Sequence, residues 1–530
     1  MPLRNPLRGL AAAAIAAGAL ATSACAGGGT AAVPSGPAGE PVQGGDLVIV
    51  SSGDMSCFDP WQTLARVSLQ WQRQLQDSLV YEDTEGNFHP WLAAEFAVND
   101  DATEFTFTLR DDVTFSDGSP LDAETVKANL DALKAEPAYT IAASYLGSYE
   151  GTTVVDEHTA VVSFSAPNAS FLFALSIPNL SITSTESARM SAADRCAGTA
   201  AGSGPFSIES SRSGEQVVLA ANADYTWGPE SLPNSGAPYL DTITINQVAD
   251  TTVIGQTGLA GEADIIQQFA DAELPALEQA GWTHFDQPDP ATAMSFIIYP
   301  GRGVLGNDEA AREAFRLALD RDELLAASTM QSEPTNGVLN SAHPFTVDQT
   351  ALMVQDTDRA NEVLDDAGWV RGADGIREKD GERLSVESIM YAGALPDIAA
   401  VAAQQLGEVG IELKIRPVTF AEETGLRAEG QIPMRLNALT GAEPTVLGGL
   451  FDGDLPPGVA EQLAVQGATT DRAKRQAAVE ELASILLDGG WQVPLFQYFN
   501  QPWWASHVHG TTRDVGGLFM MSQIWLDPAA

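Results

Sequence analysis

Apolar and polar positions alternate most cleanly at Glu104-Phe105-Thr106-Phe107-Thr108-Leu109. Phe105, Phe107 and Leu109 share one face there, which predicts a half-buried strand. A short apolar run, Asp46-Leu47-Val48-Ile49-Val50, ends at Ser51-Ser52-Gly53-Asp54 and reads as another strand. Helical spacing of Leu69, Trp71, Leu75 and Leu79 predicts a helix over 69–80. Asp117-Gly118 signals a turn, after which Asp122 is placed to cap a helix through Val126 and Leu130. Thr152 to Phe164 reads as a hairpin around Asp156-Glu157, with further strands at 216–220 and 242–248. The longest predicted helix runs over 308–327, with Ala311, Ala314, Phe315, Ala318, Leu319 and Leu324 on its apolar face. Helices over 359–367 and 398–409 stop at Gly368 and Gly410, the residue type that best adopts a left-handed cap. A strand at 411–418, a helix over 471–487 and a strand at 493–499 complete the pattern. Strands and helices thus mix along the whole chain without a detectable repeat, which predicts an α/β or α+β protein of several lobes.

The first residues follow a different grammar. Arg4 and Arg8 precede an Ala-rich apolar run from Leu10 to Leu20, too short for a membrane span, and Ala21-Thr22-Ser23-Ala24 lead to Cys25. Small residues ending at a cysteine resemble a bacterial lipobox, so 1–24 is expected to be a signal peptide and Cys25 the lipidated new N-terminus. Thr22 stands where Leu is usual, and cleavage of an ordinary secretory peptide nearby is the alternative. Residues 25–45, rich in Gly, Pro, Ala and Ser, read as a tether. Export leaves Cys57 and Cys196 as an even pair in an oxidising compartment, which predicts a disulfide; two buried free thiols are the alternative.

Composition narrows the function. The chain has 530 residues, with 71 acidic and 27 basic side chains and a formal charge of −44. Such a surface lacks the clustered cations that nucleic acid requires, and anionic membranes repel it. With 44% hydrophobic residues there is ample material for packed cores, and disorder is excluded. Gly301-Arg302-Gly303-Val304-Leu305-Gly306 matches the dinucleotide-binding pattern, but Pro300 interrupts the strand-to-turn step and the helix is expected after the third glycine. A loop is the better reading. His507-Val508-His509 offers two imidazoles where a metal usually needs three or more convergent ligands, so no metal is assigned. No G-x-S-x-G elbow occurs, no catalytic residue or cofactor is assigned, and the chain is not expected to be an enzyme.

Several segments are similar, in order, to one family. They begin at Pro90-Trp91-Leu92-Ala93-Ala94-Glu95-Phe96 and FTFTLRDDVTFSDGSPLDAETVKANLDAL (Phe105 to Leu133). GSGPFSIESSRSGEQVVLAANADYTWG (Gly202 to Gly228), APYLDTITI (Ala237 to Ile245) and GLAGEADI (Gly258 to Ile265) follow. AREAFRLALDRDELL (Ala311 to Leu325), ANEVLDDAGW (Ala360 to Trp369) and VPLF (Val493 to Phe496) complete the set. Together they resemble the family-5 solute-binding proteins of bacterial ABC importers, which include dipeptide and oligopeptide receptors.

The resemblance implies an α/β, two-lobed, periplasmic-binding-protein-like fold of type II, with a two-strand hinge and an extra α/β subdomain on the first lobe. By analogy the first lobe collects 46–78, 203–268 and 497–530, the subdomain is 79–202 and the second lobe 269–496. It implies a monomeric receptor on the outer face of the cell membrane that closes on a small solute, a peptide first, and hands it to ABC permease subunits. A sugar, an opine-like compound or a metal chelate such as a nickel complex is the alternative solute. Peptide receptors of the family hold the ligand's amine with an Asp in a Trp-x-Gly-Asp-x-x-Asp-Pro-like segment. Here that stretch is Leu439-Thr440-Gly441-Ala442-Glu443-Pro444, in which the Asp is absent and Glu443 is the candidate substitute. Tyr391, Arg435 and Asn437 are the other expected ligand contacts of the second lobe, Arg435 for a carboxylate or phosphate. Met55, Phe58, Trp503 and Trp504 are those of the first lobe and hinge.

Overall fold

The computed structural model describes residues 39–53, 55–62, 66–136, 141–328, 330–391, 395–499 and 501–528. The expected signal peptide, Cys25 and most of the tether lie outside them.

A first six-stranded sheet is ordered Trp503–Trp504, Ile265–Gln267, Asp46–Ser51, Thr242–Gln247, Gln216–Ala221, Phe206–Arg212. Asp46–Ser51 pairs parallel with both neighbours. Buried in mid-sheet, it can be apolar at consecutive positions, and Leu47, Ile49 and Val50 are at most 2% exposed. A second six-stranded sheet is ordered Ser332–Glu333, Gln492–Tyr498, Met294–Ile298, Met434–Asn437, Ser385–Tyr391, Glu412–Val418. Its strand Met294–Ile298 is buried at every position. Ser385–Tyr391 and Glu412–Val418 run parallel, joined by the helix Pro396–Val409, which Gly410 ends at φ 88°. A four-stranded antiparallel sheet is ordered Ala93–Val98, Glu104–Leu109, Thr159–Phe164, Tyr149–Asp156. The alternation at 104–109 does its expected work here, with Phe105 and Phe107 fully buried. The helix Ala123–Ala135 packs on this sheet, its first turn capped by Asp122, which accepts from Thr125 N at 2.7 Å.

Two connections cross from the first lobe, built on the first sheet, to the second. Leu277 and Trp282 still pack with Val50, Ile266 and Trp503, so one crossing runs through 283–293. The other follows Gln492–Tyr498 back to Trp503–Trp504. They are tied together: Thr283 and Trp504 exchange backbone hydrogen bonds of 3.0 and 2.9 Å, and Gln501 Nε2 donates to Gln287 O.

Three expectations are corrected. The helix expected over 69–80 spans Arg66–Leu75 and then stops. Gly204 N donates to Leu75 O at 3.1 Å, and Asp77 turns inward to Ser203 Oγ and Trp227 Nε1. The helix expected over 308–327 is two helices, Glu309–Leu317 and Arg321–Ala326. Asp320 carries the break, because its carboxylate accepts from Asp322 N and Glu323 N while its own N–H goes to Gln405 Oε1 at 3.0 Å. Within 301–306 a short helix, Gly303–Asn307, contains the third glycine rather than following it. The loop closes on itself through Gly301 N to Gly306 O at 3.0 Å. A Cβ on Gly306 would lie 2.4 Å from Tyr299 O, so backbone packing alone demands the glycine.

Cys57 and Cys196 are bonded, with Cα atoms 4.1 Å apart. Beside the bridge, Arg195 pairs with Asp59 at 2.7 Å and lies 4.3 Å above the Trp61 ring.

Candidate ligand-binding cleft

The surfaces of the two lobes meet in a seam that is apolar at its centre and charged around it. Phe173 and Ile177, which follow the four-stranded sheet, cluster with Ala442 of the second lobe and Val515 of the C-terminal segment. Ala442, next to Glu443, is 2% exposed.

Beside this contact, Ser170 Oγ donates to Glu443 Oε2 at 2.7 Å, and Ala169 N donates to Gly467 O at 2.9 Å. Arg475 Nη2 lies 2.5 Å from the same Glu443 oxygen and donates to Gln466 Oε1 at 2.8 Å. The guanidinium groups of Arg472 and Arg475 stand 3.9 and 4.8 Å from the centre of the Phe345 ring. At the hinge end, Arg513 Nη1 lies 3.3 Å from Asp289 Oδ1, and its guanidinium stacks on Phe285 at 4.6 Å.

Two titratable groups in the seam are displaced by burial. Glu82, 5% exposed on the strand Val80–Glu82, has no cation within ion-pair distance among the described residues; its polar contact is Ser176 Oγ at 3.5 Å. Burial, and then the neighbouring Glu443 carboxylate, push its pKa well above the usual carboxylate range, against the opposing pull of Arg475 and Arg472. His343 is 2% exposed, accepts from Phe345 N at 3.0 Å through Nδ1, and leaves Nε2 without a hydrogen bond among the described residues. Burial drives its pKa down to about 3, so the imidazole is neutral.

The sequence-predicted residues fall into three places. Tyr391, Arg435 and Asn437 come together with Glu423 around one small pocket of the second lobe. Arg435 is 3% exposed there and commits Nη1 to Glu423 Oε1 and Nη2 to Leu450 O, each at 2.9 Å. Burial and then Glu423 raise the Tyr391 phenol to about 12. Glu443 stands in the seam, with its carboxylate taken by Arg475 and Ser170. Met55, Phe58 and Trp504 belong to the first lobe's core, and Trp503 packs between Phe269 and His284 at ring distances of 5.9 and 4.5 Å. Phe58 also lines a groove of about 550 Å³ on that lobe.

Ser170, Glu82, Arg475, Asp289 and Arg513 were not singled out from the sequence. Each is one polar residue among many, and the Ser170–Glu443 bond spans 273 positions. His507 and His509 do not converge: His507 pairs with Asp264 at 2.7 Å, and His509 stacks on Trp525 and pairs with Asp527 at 2.9 Å.

Comparison with known proteins gives a consistent result. The profile of the bacterial extracellular solute-binding proteins, family 5 Middle, matches residues 87–451. The oligopeptide-binding protein AppA of Bacillus subtilis is 25% identical over 405 residues, covering 72% of this chain and 71% of AppA. The nickel-binding periplasmic protein of Escherichia coli is 23% identical over 455 residues, covering 80% of this chain and 84% of that protein. Among solved structures, NikA from Brucella suis in complex with Fe(III)-EDTA superposes with a TM-score of 0.78 at 22% identity, over 91% of this chain and all of NikA.

Proposed function

Because the chain belongs to the family-5 bacterial extracellular solute-binding proteins of ABC importers, we propose that it is a lipid-anchored receptor on the outer face of the cell membrane. It captures a small solute between its lobes and delivers it to the transmembrane subunits of a permease. The observation that carries this reading is the seam itself. Ser170, Phe173 and Val515 on one side meet Glu443, Gly467 and Ala442 on the other, while two tied connections form a hinge. Surfaces of matched polar and apolar groups on either side of a two-strand hinge suit closure around a ligand. We divide the chain into a first lobe (46–78, 203–268, 497–530), a subdomain (79–202) and a second lobe (269–496), and the packing of Leu277 and Trp282 with Val50 and Trp503 argues for starting the second lobe after Trp282.

A peptide is the leading solute, since AppA is an oligopeptide-binding protein. A non-peptide solute, such as a metal chelate, is the second reading, and one observation favours it. Glu443 is paired with Arg475, and Ala442 beside it is covered by Phe173, Ile177 and Val515, so the stretch 439–444 itself offers a peptide's ammonium no unpaired carboxylate.

The test is native mass spectrometry of the freshly purified protein, followed by small-angle scattering with di- to pentapeptides and a nickel chelate. A co-purified solute and a smaller radius of gyration with one class are expected. No bound solute and no change with any of them would sink the receptor reading.

A further inference from the structure

Next to the Ser170–Glu443 contact lies a groove of about 310 Å³ whose two walls belong to different parts of the molecule. Tyr145, Asn168 and Ser170 come from the region of the four-stranded sheet, and Thr445, Leu463 and Gln466 from the second lobe. The bonds Ala169 N to Gly467 O and Ser170 Oγ to Glu443 Oε2 cross between these walls, so the groove is complete only when the lobes meet. Its size lies at the lower end of small-molecule sites.

In a chain of formal charge −44, none of the ten residues lining this groove is charged. The charged side chains bonded to its lining residues are spent: Glu443 and Arg475 on each other, on Ser170 and on Gln466, and the Lys134 ammonium on Gly147 O at 2.8 Å. The Tyr145 hydroxyl, the Asn168 side-chain carbonyl and the Thr445 hydroxyl have no hydrogen-bond partner among the described residues. They therefore offer hydroxyl donors and oxygen acceptors with no formal charge, and the Tyr145 ring and Leu463 supply apolar contact. A carboxylate or ammonium entering here would lose water without gaining a counter-charge. A neutral hydroxyl or amide would exchange hydrogen bonds with all three groups.

We propose that this groove is a subsite for a neutral, hydroxyl- or amide-bearing part of the captured solute, whose occupancy favours the closed form by bridging both walls. The proposal rests on the receptor reading above.

The test is saturation-transfer NMR on the full chain with N-acetyl-D-glucosamine as the neutral probe and glutamate and lysine as charged comparators. The neutral probe is expected to bind and the comparators not. Thr445→Trp, at an exposed position, should fill the groove and abolish the signal, and Tyr145→Phe should weaken binding by up to about tenfold, one hydrogen bond's worth. Absence of neutral-probe binding, equal binding of glutamate, or binding unchanged in both variants would overturn the subsite. Scattering on Thr445→Trp with the peptide and chelate panel separates the two ideas. Compaction that persists while the neutral probe fails to bind the wild-type protein removes the subsite alone. Loss of compaction in the wild-type protein too removes the receptor reading.

Discussion

At the scale of single residues, burial decides more than residue type. Asp77 is fully buried, and although Ser203, Trp227, Tyr225 and Arg73 favour its charged form, burial still lifts its pKa from 3.8 to about 7. A carboxyl whose pKa is raised by folding stabilises the fold most below its unfolded value, and that stability is lost as pH climbs towards the folded value. Between pH 4 and 7 the loss runs at roughly 1.4 kcal/mol per pH unit. Asp77→Asn is expected to remove this component, so urea unfolding at pH 5, 6, 7 and 8 should show a shallower decline in the variant than in the wild type. Parallel pH profiles would contradict the assignment. Ser170 makes the complementary case, a side chain whose value lies between lobes. Its bond to the Glu443 carboxylate is worth about 1.5–3 kcal/mol if it forms only on closure. Ser170→Ala should therefore weaken solute affinity by at least about tenfold while leaving the thermal midpoint of the solute-free protein nearly unchanged. Calorimetric titration and a melting curve check both halves. Neither role was legible in the sequence, because a buried carboxylate and a lone serine look like any others until the chain is folded.

At the scale of elements, the alternating and capped segments were legible and the interruptions were not. Phe105, Phe107 and Leu109 could face a core only in one register, and Asp122 and Gly410 end their helices where the pattern placed them. The break at Ala318–Asp320 rests on the Asp320 cap, which one more Asp in an apolar-spaced run does not announce, and on Gln405, 85 residues downstream, which takes the Asp320 N–H. Spacing alone could not separate a continuous apolar face from two helices in tandem. The cysteine pair illustrates an intermediate case. Parity suggested a bridge, and the fold adds what the bridge encloses: the segment between Cys57 and Cys196, 139 positions apart, contains the whole four-stranded sheet. Loop-closure entropy for that length sets an upper value of about 5 kcal/mol. Replacing both cysteines by serine is expected to lower the stability of the mature protein by about 2–5 kcal/mol, as measured by denaturant midpoint at constant slope. Trypsin should then cut first within 57–196. Uniform proteolysis with an unchanged midpoint would show that the bridge contributes nothing to that part of the fold.

At the scale of the whole molecule, the seam couples protonation to shape. In the form described here Glu82 is enclosed, with Ser176 Oγ at 3.5 Å as its hydroxyl neighbour. The charges acting on it are Glu443 and Asp83, which hold the proton on, and Arg475 and Arg472, which oppose them. Burial is the largest influence, and it is the influence that lobe opening would remove, because water would then reach the carboxyl. The pKa of Glu82 is therefore higher in the closed form than in an open one, and closure takes up a proton at any pH between the two values. By linkage the closed form gains as pH falls through that window and loses as pH rises through it. Solute affinity is accordingly expected to fall from pH 5 to pH 8 in the wild-type protein. Glu82→Gln, which keeps the side chain neutral at every pH, should bind with an affinity nearly independent of pH over the same range. His343 is neutral in this form, where burial holds its pKa near 3, but opening relieves that burial too and favours the open form as pH falls, a linkage of the opposite sign that His343→Gln in the same titration isolates. Asp77, lifted to about 7, also titrates between pH 5 and 8, and it lies in the first lobe against Ser203 and Trp227. Calorimetric titration of wild type, Glu82→Gln and Asp77→Asn at pH 5, 6, 7 and 8 therefore assigns the proton. A slope that survives in Glu82→Gln and vanishes in Asp77→Asn would move the linkage out of the seam and into the first lobe's core.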